Sequence, residues 1–152
     1  MNDQLRVRRE TFIAAPPATV FAYLTDPEKI IGWMGSKSET DVRVGGVYLL
    51  MGVGRGAATA RGAFREVVPV HRLAYSFGWD GDPSIPPGSS LIEFDLVDQD
   101  GGTLLSITHT GLPDAEKCAA HNRGWEHYLR RLAIVAEGGD PGADPGPSGA
   151  RA

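Results

Sequence analysis

The sequence has a single cysteine, Cys118, so no internal disulfide can form and nothing points to a stapled secreted scaffold. It has no apolar run approaching the roughly 18 residues of a membrane span. The first ten residues are polar and carry Arg6, Arg8 and Arg9, with no apolar signal-peptide core behind them. Basic residues are not in excess. The net charge is −4, which repels phosphate backbones and anionic headgroups, so neither nucleic acid nor a membrane is expected as a partner. There is no His-x-x-x-His or Cys-x-x-Cys pair, and the six-residue spacing of His121 and His127 puts them on different sides of a helix. Metal is therefore not expected, and no residue pattern calls for a cofactor. A nucleophile elbow and a phosphate loop are also missing. Together these absences lead us to expect a cytoplasmic protein.

What remains suits one α+β domain over residues 1–137, followed by a Gly/Pro/Asp-rich tail, 138–152, expected to be flexible. Leu5 to Ala14 reads as a strand. Pro17 then opens a short helix through Val20, Phe21 and Leu24, and Asp26-Pro27 caps and opens a second one ending near Gly32. Gly45-Gly46 marks a tight turn before an apolar strand, Val47 to Val53, with Tyr48 and Met51 inside it. Thr59 to Val68 is a further strand, stopped by Pro69. Leu73, Tyr75, Phe77 and Trp79 alternate with smaller residues, the period of a strand with one packed face. A long Pro- and Gly-rich loop, 80–90, is either a lid or a wide connection. Leu91 to Val97 and Thr103 to Thr110 form a hairpin. Asp114 caps a long final helix whose stripe runs Cys118, His121, Trp125, Tyr128 or Leu129, and Leu132. Arg130 and Arg131 stand near its C-terminal end, where cations are favourable. Helix stripe and aromatic strand face must bury each other, and a strongly curved sheet can leave a cavity between them.

Several pieces together resemble a known family. They are Ile13-x-Ala15-Pro16-x-x-x-Val20-Phe21, Leu24-Thr25-Asp26-Pro27, Trp33, and Val44-Gly45-Gly46-x-Tyr48. Further along come Gly62-x-Phe64-x-Glu66-Val67-x-Pro69, Arg72-Leu73-x-Tyr75, and Gly124-Trp125 with Leu129 and Leu132. The chain resembles the START-like helix-grip superfamily (SRPBCC), in the branch named after the activator of a heat-shock chaperone ATPase. The resemblance implies a curved antiparallel sheet wrapped around a long C-terminal helix, with a hydrophobic pocket. It does not settle function, because lipid carriers, receptors and cyclases share this fold.

The expected activity is binding of a small hydrophobic or amphipathic molecule between sheet and helix. Its candidate lining is Trp33, Tyr48, Met51, Phe64, Tyr75 and Phe77, continued by Trp79, Phe94, His109, His121 and Trp125. Polar anchoring would fall to His109, His121 and Tyr48. One alternative is a small cyclase- or hydrolase-type enzyme with a cavity histidine as proton carrier. The other is a protein-interaction or co-chaperone-like module, and a homodimer is compatible with either. The favoured reading of both histidines is structural, held by hydrogen bonds near the helix start; Cys118 reads as packing, and no positive case for an enzyme arises. Gly52-x-Gly54-x-x-Ala57 is a loose dinucleotide fingerprint, but a strand follows where a helix should, so it reads as a turn.

Overall fold

The computed structural model describes residues 5–53 and 58–146. The chain enters as β1 (Val7–Ile13), then folds two short helices, α1 (Pro17–Thr25) and α2 (Pro27–Ile30). Proline stands at the start of both, where its missing N–H costs nothing. The Asp26 carboxylate caps α2 by accepting from the Glu28 N–H. Six strands follow: β2 (Lys37–Thr40), β3 (Val47–Val53), β4 (Ala58–Val68), β5 (Arg72–Phe77), β6 (Ser90–Gln99) and β7 (Gly102–Thr110). The last element is the long helix α3 (Ala115–Ala136), capped by Asp114 accepting from the Lys117 N–H at 2.8 Å.

The strands form one antiparallel sheet in the order β1-β7-β6-β5-β4-β3-β2. Its concave face holds α3, so the expected helix-grip architecture is present. Three local details differ from expectation. Strand β2 carries Lys37, Ser38, Glu39 and Thr40, with no apolar alternation to announce it, and a polar strand suits a sheet edge. The β6–β7 turn is tighter than the five-residue link expected. Gln99 pairs with Gly102, leaving Asp100-Gly101 as a two-residue turn with positive φ at both positions, the Asp-Gly signature of such hairpins. Trp79 lies beyond the end of β5 and joins the sheet through one bridge to Ala60.

The core fills the space between the concave face and the helices. Tyr48 and Tyr75 stack with ring centroids 4.0 Å apart, and Phe64 meets both edge-on. Phe94 is fully buried and meets Trp125 edge-on at 5.9 Å. Phe94→Ala should cost about 3–5 kcal/mol, the usual cost of emptying a buried aromatic position. Urea unfolding followed by tryptophan fluorescence reads it directly; a loss under 1 kcal/mol would mean that Phe94 does not tie sheet to helix.

On the outer face Glu66, Glu93 and Asp95 converge on Arg72, which donates to all three. Those carboxylates thereby hold the guanidinium charged, and the arrangement is a surface ion-pair network around one cation. Arg131, near the C-terminal end of α3 where cations are favourable, is buried. Its Nε donates to the Trp33 carbonyl at 3.0 Å, and its terminal nitrogens donate to the carbonyls of Pro141, Gly142 and Ala143. Asp144 accepts two more bonds, from His127 Nε2 at 2.8 Å and from the Tyr128 hydroxyl at 2.6 Å. The described part of the stretch expected as a flexible tail, 138–146, is thus laid back along α3.

Candidate functional site

Helix α3 lies closest to β1 and α1. Toward β3, β4 and β5 the sheet curves away from it, and a cavity of about 270 Å³ opens between them. The sheet side contributes Leu50, Val53, Ala60 and Phe77, with Trp79 just beyond β5. Helix α3 contributes Ala120, His121, Gly124, Trp125 and Tyr128, and Met34 completes the wall. Phe77, Trp125 and Tyr128 are buried, Trp79, His121 and Gly124 are half-buried, and Ala120 is exposed. The mouth therefore lies between Trp79 and the stretch Ala120–Gly124 of α3.

Local backbone chemistry shapes this wall. Leu50 pairs with Ala60, and the next regular pair is Val53 with Ala58, so β3 carries an irregularity between them. Gly52 sits in it at φ +74°, a conformation natural to glycine, and a Cβ there would lie 2.1 Å from the Ser36 hydroxyl. The bulge lets both Leu50 and Val53 face the cavity across an odd spacing. Ordinary strand alternation puts Met51 on the opposite side from Leu50, paired with Lys37 at the β2 edge. The fingerprint reading of Gly52-x-Gly54-x-x-Ala57 falls on a strand bulge at its first glycine; residues 54–57 lie outside the described residues.

Of the expected lining, Phe77, Trp79, His121 and Trp125 are at the cavity. Tyr48, Phe64, Tyr75 and Phe94 lie beneath it in the packed core. Burial pushes the Tyr48 hydroxyl up to about 12, and its hydrogen-bond partner is Tyr75. Trp33 is buried by α1, with its indole N–H donating to the Tyr23 carbonyl. His109 is buried behind Trp125. Leu50, Val53, Ala60, Ala120, Gly124, Tyr128 and Met34 were not expected. One signal did mark Gly124: a glycine inside a helix costs about 1 kcal/mol relative to alanine and invites an explanation. No atom lies within 4 Å of where its Cβ would stand.

The two histidines are held by two tryptophans. Trp125 Nε1 donates to His109 Nδ1 at 3.1 Å. His109 Nε2 lies 2.9 Å from the Ser90 hydroxyl, which in turn donates to the Phe77 carbonyl at 2.8 Å. One assignment satisfies the whole chain: His109 is neutral, carries its proton on Nε2 and gives it to Ser90. Desolvation, and then His121, pull its pKa down to about 3. His121 mirrors this with the other tautomer. Its Nδ1 donates to the Lys117 carbonyl at 2.8 Å, and its Nε2 accepts from Trp79 Nε1 at 3.1 Å. Burial also lowers its pKa. The imidazoles meet edge-on at 5.3 Å. Each lone pair is thus engaged by an indole N–H, and the Trp79–His121 bond crosses the mouth.

The described residues contain no group of three or more His, Cys, Asp or Glu placed to hold a metal, and no helix among them is long and apolar enough to cross a membrane.

Residues 14–137 match the family model described as Activator of Hsp90 ATPase homolog 1-like protein. No curated protein matches the chain. The solution structure of an AHSA1-like protein from Rhizobium etli is 61% identical, with a TM-score of 0.72 over 92% of this chain and 86% of that one. A crystal structure of a Chromobacterium violaceum protein is 27% identical, with a TM-score of 0.73 over 88% of this chain and 97% of that one. The solution structure of CalU16 from Micromonospora echinospora is 28% identical, with a TM-score of 0.72 over 91% of this chain and 69% of that one.

Proposed function

The chain belongs to the family of Activator of Hsp90 ATPase homolog 1-like proteins, and on that premise we propose that it binds a small, mainly apolar molecule between the sheet and α3. The observation that carries this reading is the open-mouthed cavity of about 270 Å³, walled by aliphatic and aromatic side chains. Concave, largely apolar and preformed space is the usual form of a small-molecule site. The histidines support binding over turnover. A proton carrier needs a lone pair facing its substrate, whereas those of His109 and His121 already accept from Trp125 and Trp79. The interaction-module alternative draws no comparable support from the site.

Titration with 1-naphthylamine, a small uncharged fluorescent probe, tests the proposal. Saturable enhancement and a blue shift at one probe per chain are expected, with competition by smaller apolar compounds. No enhancement at any concentration up to the probe's solubility would remove the basis of the proposal.

A further inference from the structure

We infer that the cavity takes an uncharged, flat molecule of about two fused rings, and that it discriminates against the same skeleton bearing a carboxylate. This rests on the binding role proposed above and adds the chemical class of the ligand.

Size is the first argument. An apolar cavity of about 150 Å³ accommodates benzene, with six heavy atoms. By that scale a cavity of about 270 Å³ suits roughly eleven. Diacyl lipids and four-ring skeletons are too large.

Polarity is the second. Among the described residues lining the cavity there is no Lys, Arg, Asp or Glu. The polar side-chain groups on the wall are already engaged. Trp79 donates to His121, His121 to the Lys117 carbonyl, Trp125 to His109 and Tyr128 to Asp144. An anion inside would meet neither a cation nor a free donor, and a buried unpaired charge is among the costliest groups a site can hold. The charges that bear on His121 at the mouth, Asp82 and Lys117, have opposite signs and offer no net attraction to an acid.

Shape is the third. On the sheet side the Phe77 and Trp79 rings stand edge to face, with centroids 5.2 Å apart. Facing them on α3 are the small residues Ala120 and Gly124, one turn apart, and Gly124 has no side chain and open space beyond its Cα. The space between the aromatic rings and these two small residues, beside the Trp79–His121 bond, fits a planar body.

The test compares 1-methylnaphthalene, 1-naphthoate and pyrene by competition against fluorescent 1-naphthylamine, itself of two fused rings, at pH 8, where naphthoate is ionised. The expected order puts methylnaphthalene at least about tenfold tighter than naphthoate, with pyrene failing to compete. If naphthoate binds as tightly as methylnaphthalene, the charge argument is overturned while the binding role stands. Pyrene competing as well as methylnaphthalene would overturn the size argument in the same way. If the fluorescent probe itself does not bind, the binding role falls and this inference with it.

Discussion

Gly124→Leu should weaken probe binding about a hundredfold while leaving the protein folded and more stable. The position lines the cavity, and a Cβ placed there meets no atom within 4 Å. A leucine side chain can therefore grow into the space a ligand would use. Four carbons displace ligand contacts worth about 0.8 kcal/mol each. That sums to roughly 3 kcal/mol, or about two decades in affinity. Stability moves the other way. Removing a helix-interior glycine returns about 0.8–1 kcal/mol of propensity, and cavity filling commonly adds 0.5–2 kcal/mol. For a domain of this length each kcal/mol raises Tm by about 2–4 °C. The opposite signs matter, because most variants that lose binding also lose stability. Calorimetric melting together with probe titration reads both. Unchanged affinity in a folded Gly124→Leu protein would place the ligand elsewhere.

The second large effect concerns acid. His109 is buried and neutral, with a pKa drawn down from 6.5 to about 3, first by desolvation and then by His121. Between those values the unfolded chain takes up a proton that the folded chain excludes. Stability attributable to His109 is therefore complete above pH 6.5, falls as the pH drops toward 3, and changes little below it. At 1.36 kcal/mol per unit the total is on the order of 5 kcal/mol, comparable with the whole stability of many domains. His121 shifts in the same direction. The structural reason is geometric as well as dielectric: an imidazolium has no lone pair, so the Trp125 N–H would face another donor. His109→Gln should start less stable at pH 7 and show a distinctly shallower loss toward pH 4. Urea unfolding at half-unit intervals separates His109 from the carboxylates, which titrate in both proteins. Parallel curves for the two would mean that His109 is not held neutral.

Sequence periodicity carried the architecture well. The α3 stripe, the Leu73–Tyr75–Phe77 strand and the two proline-opened helices all follow from local spacing, and each is present. The candidate lining was harder, because alternation identifies a face and not a depth. Tyr75 and Phe77 share the concave face, yet Tyr75 packs against Tyr48 and Phe64 while Phe77 reaches the cavity. What separates them is the curvature of the sheet relative to α3, which no short window of sequence encodes. Met51 belongs to a run, Val47 to Val53, that is apolar throughout, so composition there does not tell the inward residues from the outward ones; alternation with Leu50 turns Met51 away from the cavity. Small residues were passed over for a different reason. Ala60, Ala120 and Gly124 shape the cavity by what they do not occupy, whereas a search for ligand-binding side chains favours large ones. Arg131 shows a similar gap. Its helical position is legible, but its bonds to the carbonyls of 141–143 depend on a chain reversal that composition does not announce.

The most direct test of the account is a heteronuclear NMR titration with 1-methylnaphthalene, following indole N–H and alanine methyl resonances. The account predicts the largest shifts at the indoles of Trp79 and Trp125 and at the methyls of Ala60 and Ala120, with Trp33 little changed. Saturable shifts confined to the outer face of the sheet, or none at all, would contradict it.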